Sequence, residues 1–270
     1  MQYIEVSVII QFLLFCISNA NPLIGNNIRR ARDKEFSFIV SISAKTARFD
    51  ALSDHICTGT LITNKHVLTA EHCMCSNIHL CQVIAGSNNL YEGKKYNIRN
   101  WISYLEWIEK NRFHLEFAEN DISVLTLLET IADPEIEPAN LSTMTNRDLI
   151  GIDVVVAGWG RTNTQRLAII METAMLKIIS KSECLKKVKK ISQTKTDMIV
   201  PPTVLCSIAK PYTLLDNGES GGPLLDTNNH VVGVNEGTTP QTDKPFDPNE
   251  VNIHANINYY RHFIMDTISN

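Results

Sequence analysis

Three residues of the chain carry the parts of a nucleophilic relay. Ser220 stands inside "GESGGP" (residues 218–223), a serine between glycines on a tight turn; His72 stands in "LTAEHC", just before Cys73; and Asp121 opens the apolar run "DISVLTL". A serine hydroxyl is a weak nucleophile until an imidazole takes its proton, and the imidazole works only when a carboxylate fixes its tautomer and orientation. Ser220, His72 and Asp121 therefore read as nucleophile, base and orienter. Gly218 is free to turn its N–H toward the oxygen that becomes negative during acyl transfer. With the Ser220 N–H it would form an oxyanion hole, where each donor contributes roughly 3–4 kcal/mol. Chain order discriminates among serine hydrolases. In the Gly-x-Ser-x-Gly elbow of other folds the acid and histidine follow the serine, and here both precede it.

Positions 72, 121 and 220 must be brought together by the fold. Runs rich in valine and isoleucine recur with turn residues between them, and helical periodicity is scarce until the end, a pattern that predicts an all-β protein of paired barrels. The segment "INYYRHFIMDTI" (residues 257–268) places Ile257, Tyr260, Phe263, Ile264 and Ile268 along one face of a terminal helix. Its aromatic residues read as core. Lys186, Lys187, Lys189 and Lys190, within residues 181–195, read as the solvated face of a short helix; the rival is an anion-binding surface that would retain heparin. The net charge of −4 gives no reason to expect a nucleic-acid partner.

The apolar run at residues 6–17, followed by Ser18, Asn19 and Ala20, reads as a secretory signal over residues 1–20. It is shorter than the ~20 apolar residues that span a bilayer, so no membrane anchor is expected. The 250 residues that remain suffice for one large or two small cores. Of seven cysteines, all but Cys16 lie outside this segment, an even set suited to an oxidising compartment. A metal site built from His72, Cys73, Cys75, His79 and Cys81 is the rival reading of part of that set. Asn140 opens a glycosylation sequon.

The relay residues come with "FSFIVSI" (residues 36–42), "CTGTLITNKHVLTAEHC" (57–73), "VVVAGWG" (154–160) and "HVVGV" (230–234), in the order of a known family. Over essentially everything after residue 22 the chain resembles the trypsin/chymotrypsin-type serine proteases. The resemblance implies two six-stranded antiparallel β-barrels joined near residues 130–145, with His72 and Asp121 from the first, Ser220 from the second and the site in the cleft between. It implies a peptidase domain over residues 23–270 with the terminal helix on the second barrel, no metal or other cofactor, protein or peptide substrates, and a monomer. It pairs Cys57 with Cys73 and Cys184 with Cys206, leaving Cys75 and Cys81 to form a small extra bridge.

The chain also departs from that family. Its members free an N-terminal ammonium that pairs with the acid before the nucleophile; here the matching start is Leu23, preceded by Pro22, and no lysine or arginine occurs before Arg29. Removal of the dipeptide Asn21-Pro22 by a peptidase that cuts after proline would expose Leu23; cleavage at Arg29 or Arg30 is the alternative. The acid is Glu219 in place of aspartate, which moves the carboxylate by roughly 1.5 Å, one C–C bond, and misplacement by about 1 Å can lower activity ~100-fold. Asp216 replaces a cysteine. Leu214 stands at the pocket floor where trypsins carry aspartate, and Asn252 falls near a position where glycine keeps the pocket open. These two residues predict a specificity pocket that does not accept lysine or arginine. Asn235-Glu236-Gly237 replaces the substrate-binding Ser-Trp-Gly, and Glu236 is expected to repel Asp121. The leading expectation is a secreted serine endopeptidase without trypsin-like specificity; the alternative is a non-catalytic homologue acting as a secreted binding or regulatory protein.

Overall fold

The structure, a computed structural model, describes residues 23–162, 166–192, 199–240 and 247–269. The expected signal (1–20), the dipeptide 21–22 and Lys195 lie outside the described residues. After β1 (Ile24–Gly25) and β2 (Ile28–Arg30), the strands β3 (Ile39–Ala44), β4 (His55–Thr63), β5 (His66–Thr69), β6 (Cys81–Ala85), β7 (Lys94–Ser103) and β8 (Ser123–Leu127) close into an antiparallel barrel in the order β3-β4-β5-β8-β7-β6. The second half contributes β9 (Asp153–Gly158), β10 (Glu172–Ile179), β11 (Val204–Ile208), β12 (Thr213–Leu214), β13 (Pro223–Leu225), β14 (Val231–Thr239) and β15 (Val251–Asn256). Strands β11-β15-β14-β13-β9-β10 form a ring that β10 closes by pairing back onto β11 through residues 177–179. Strand β2 docks on the half of β10, residues 172–174, that β11 does not use. The all-β expectation of two six-stranded barrels is met. Closure leaves neither barrel with a long open edge.

Among the described residues five α-helices decorate the barrels: α1 (Ala51–Asp54), α2 (Tyr104–Asn111), α3 (Asn146–Leu149), α4 (Lys181–Ser192) and α5 (Ile257–Ser269). In α4 the i,i+4 pair Cys184 and Val188 is buried, Lys186 and Lys190 are exposed, and Lys187 and Lys189 are half-buried, so the expected solvated face is met in part. Helix α5 buries Ile257, Tyr260, Phe263 and Ile264, as its spacing predicts. Its docking extends the expectation. The helix lies on β14 and β15 of the second barrel, as expected, and its apolar face also reaches the first, where α2 offers it aromatic partners. Tyr104 meets Tyr260 edge-on at 4.9 Å between ring centroids, and Trp107 lies 5.7 Å from Phe263. The Trp107 Nε1–H donates to Asp266 at 2.7 Å, which satisfies the polar edge of a buried indole. The two barrels are thus clasped by a helix from one held on a helix of the other.

The connecting segment passes from one barrel to the other at residues 139–140: the Ala139 N–H donates to Leu61 in the first barrel, while the Asn140 carbonyl accepts from Val231 in the second, each at 2.8 Å. Three disulfides join Cys57 to Cys73, Cys75 to Cys81 and Cys184 to Cys206. The sulfurs beside His72 are therefore bonded to one another and are not arranged as thiolate metal ligands. Among the described residues no helix is long and apolar enough to cross a membrane.

Candidate active site

His72 sits on a single 3₁₀ turn, Glu71–Cys73, at the end of β5. The disulfide from Cys73 to Cys57 ties that turn to β4. Asp121 stands just ahead of β8, on a segment anchored at Asn120, whose Oδ1 accepts from the buried Tyr260 hydroxyl at 3.0 Å. The Asp121 carboxylate takes two donors from His72: the backbone N–H at 2.9 Å and ring Nδ1 at 2.5 Å. Accepting from Nδ1 leaves Nε2 as the basic nitrogen of neutral imidazole. The same bond holds the His72 pKa above its ordinary value, against the opposing pull of desolvation. Two of the three relay residues are therefore engaged in the geometry the chemistry requires.

Ser220 lies on the loop between β12 and β13, and that loop is pinned to the first barrel. Thr58 of β4 donates its N–H to the Ser220 carbonyl at 2.9 Å and its hydroxyl to the Gly218 carbonyl at 2.7 Å; His55 Nε2 reaches the same Gly218 oxygen at 3.1 Å. Gly218 adopts φ +102°, a conformation that L side chains rarely take. The Asn217 carbonyl is turned toward the Arg161 N–H at 2.9 Å, so the Gly218 N–H across the same planar peptide points the other way. Among the described residues neither the Gly218 N–H nor the Ser220 N–H has a hydrogen-bond acceptor. Two unpartnered amides on either side of Glu219 are the kind of donors an oxyanion hole needs. The Ser220 hydroxyl itself is directed at the Glu236 carbonyl, 3.4 Å away, and not at His72.

Glu219 is completely buried. Its carboxylate accepts from the Gly160 N–H at 3.1 Å and the Asp216 N–H at 2.9 Å, and burial drives its pKa well above the ordinary carboxylate range. Glu172 lies near it and is also buried, with Oε2 unpartnered among the described residues and a pKa pushed up to about 8, chiefly by burial. Leu23 is fully buried in an apolar cluster that includes Val154, Val156, Ala174 and Leu176. Those residues share a sheet face with Gly158 and Glu172, which pair across β9 and β10. A Cβ added to Gly158 would come within 3.4 Å of Glu219 Cγ, so the two acids meet beside the face that carries this cluster. Leu214 pairs with Ile24 and is buried. Asn252 is buried too, its side chain bonded to the Leu215 N–H and the Thr213 carbonyl, both at 2.8 Å. These two residues are thus adjacent in the wall behind the nucleophile loop, closed off from solvent.

With this geometry in place, comparison with known proteins decides the family. The sequence model of the family described as Trypsin matches residues 26–264. The chain belongs to the trypsin family. It is 31% identical to chymotrypsin from Phaedon cochleariae over 64% of its own length and 59% of that protein's, so it spans about three fifths of this relative. It is 29% identical to melanization protease 1 of Drosophila melanogaster over 69% of the chain and 52% of the relative. Duodenase-1 from Bos taurus is 30% identical over 69% of the chain and 72% of its own length. Among solved structures, neuropsin, a serine protease expressed in the limbic system of mouse brain, superposes with a TM-score of 0.69. It covers 89% of this chain and 98% of its own at 17% identity, a likeness of fold.

Sequence reasoning missed several residues around this trypsin-family site. Thr58 and His55 hold the Gly218 carbonyl, and Ser41 holds His55 Nδ1 at 2.8 Å. The available signal was a polar residue on an otherwise buried strand, in the "CTGTL" of β4. Buried His254 joins Ser207 at 2.7 Å to Asn235 at 2.9 Å, and Asn235 donates to the Glu219 carbonyl at 3.4 Å. That network gives the nucleophile loop polar support from the second barrel.

Proposed function

We propose that this chain is a secreted serine endopeptidase that hydrolyses protein or peptide substrates through an acyl-enzyme, as a monomer, with Ser220 as nucleophile, His72 as base and Asp121 as orienter. The observation that carries the reading is the pairing of a preformed His72–Asp121 couple with two amides, Gly218 and Ser220, that have no acceptor among the described residues. Rotation about the Ser220 Cα–Cβ bond to another staggered position releases the hydroxyl from the Glu236 carbonyl for His72. Hydrogen bonds of this kind are commonly long or misdirected before substrate binds. The imidazole then takes the hydroxyl proton as the oxygen attacks the scissile carbonyl, and returns it to the leaving amine; water repeats the cycle.

Leu214 offers no counter-charge to a basic side chain, so cleavage follows residues other than lysine and arginine. Three disulfides accord with an oxidising destination. Activation consists of removing Asn21-Pro22, which gives Leu23 an ammonium beside Glu219. Sequencing the N-terminus of the natural protein is expected to return Leu23; a fully active protein beginning at Asn21 would refute this step. Cleavage-site profiling on a peptide library tests the function. Cuts after residues other than lysine and arginine are expected, and Ser220→Ala is expected to lower kcat by on the order of 10⁶. Cleavage confined to lysine and arginine sites, or unchanged by S220A, would contradict the reading.

A further inference from the structure

We propose that the cavity bounded by the first barrel and the last turns of α2 and α5 binds a short sulfated oligosaccharide, at a site separate from the relay. Its floor is a row of paired residues: His66 of β5 lies opposite Thr126 of β8, which lies opposite Asn100 of β7. The register of β7 against β8 slips between Ile98 and Asn100, making Arg99 the extra residue of a β-bulge. Bulges re-aim side chains at the rims of barrels. Lys65 comes from the turn between β4 and β5, Lys110 from the last turn of α2, and Thr267 and Ser269 from the last turn of α5. Together they line an open space of about 810 Å³, within the size range of small-molecule sites.

The charges and polar groups of this lining choose the ligand. Lys65, Arg99 and Lys110 form no ion pair among the described residues. Cations that share one cavity repel one another, and a bound anion relieves that repulsion. Asp266 is the acid on the lining, and it accepts the Trp107 Nε1–H at 2.7 Å. His66 is oriented by the bond between its Nδ1 and the Thr63 hydroxyl, 2.7 Å, which leaves Nε2 for a ligand. The three cations come from three separate elements, so a chain carrying several sulfate esters meets them better than a point anion does. Asn100 and Thr126, whose side chains have no hydrogen-bond partner among the described residues, supply an amide and a hydroxyl suited to sugar hydroxyls. Asp121 precedes β8 and Thr126 lies near its end, roughly 16 Å along at ~3.3 Å per residue, so an occupied cavity leaves the relay open. Because α5 forms one wall and barrel strands the floor, the ligand also ties the terminal helix to the first barrel.

The test titrates a fluorescently labelled heparin tetrasaccharide into the purified protein by anisotropy, with its desulfated form as a second probe and inorganic sulfate as competitor. Saturable binding that weakens as salt rises is expected, lost on desulfation and accompanied by a higher Tm of the bound protein. Arg99 and Lys110 are exposed, so their substitution leaves the fold intact. Arg99→Ala and Lys110→Ala are each expected to raise Kd by roughly threefold to fivefold, and the double reversal Arg99→Glu with Lys110→Glu to abolish binding. Lys186→Ala with Lys190→Ala, on α4, is expected to bind as wild type does. The proposal is overturned by absence of saturable binding, by a double reversal that binds normally, or by loss confined to the α4 variant. Equal binding of the desulfated sugar, or equal competition by inorganic sulfate at the same molar concentration, overturns the assignment to a sulfated saccharide. None of these readouts depends on hydrolysis, so their outcome is distinct from that of the catalytic reading.

Discussion

Gly160 and Glu219 occupy space that only a residue without a side chain can share with a glutamate. A Cβ on Gly160 would lie 2.0 Å from Glu219 Cδ. The extra methylene at residue 219 is thus housed against Gly160, whose N–H also bonds the carboxylate. Gly160→Ala is expected to destabilise the fold by about 1–3 kcal/mol through overpacking. Adding Glu219→Asp, which draws the carboxyl back by one bond, should return most of that loss in a double-mutant cycle followed by urea unfolding. Purely additive effects would contradict the shared-space account. The departure at Glu219 was legible in the sequence because it stands beside the nucleophile. Its partner was not, since residues 59 positions apart share no local pattern.

At the scale of elements, β4 links the base to the nucleophile. Cys57 holds the His72 turn covalently, and its neighbour Thr58 holds Ser220 and Gly218 by hydrogen bonds. Thr58→Val keeps the side-chain shape and removes one of two donors to the Gly218 carbonyl. Stability is expected to fall by about 1 kcal/mol and kcat by about tenfold with KM little changed, measured by denaturation and steady-state kinetics; a change in KM alone would contradict a role in shaping the oxyanion hole. Strands and α5 were legible because alternation and helical spacing are local signals. Helix α2 was not recognised, although Ser103 and Glu106 form a reciprocal capping box that a Ser-x-x-Glu spacing announces. The additional contact of α5 with α2 was not legible, because an apolar helical face does not name all its partners.

For the whole molecule, buried titratable groups set opposing limits on stability. Burial lowers His55 to about 4 and His254 to about 3, from an ordinary value near 6.5. The unfolded chain therefore takes up protons that the folded one refuses. Stability contributed by the neutral histidines is full above 6.5 and is lost as pH falls toward 3–4. Glu172 and Glu236 act in the other direction: each is raised from 4.5 to about 8, so the stability of their neutral forms is full below 4.5 and is lost as pH rises to 8. Thermal unfolding is expected to show an acid limb in wild type, and Glu172→Gln should gain Tm relative to wild type between those carboxyl values; no pH-dependent difference would contradict the assignment. The paired barrels and the pairing of His72 with Asp121 were legible in the order of histidine, acid and serine with their flanking motifs. The pH limits were not, because they arise from burial that only the folded chain creates.

The most direct measurement is labelling of Ser220 by a fluorophosphonate in protein that begins at Leu23. Stoichiometric phosphonylation of Ser220, abolished by His72→Ala, is the predicted result. A folded chain with Leu23 at its N-terminus that remains unlabelled, or one that His72→Ala labels equally well, would contradict an activated hydroxyl at this site.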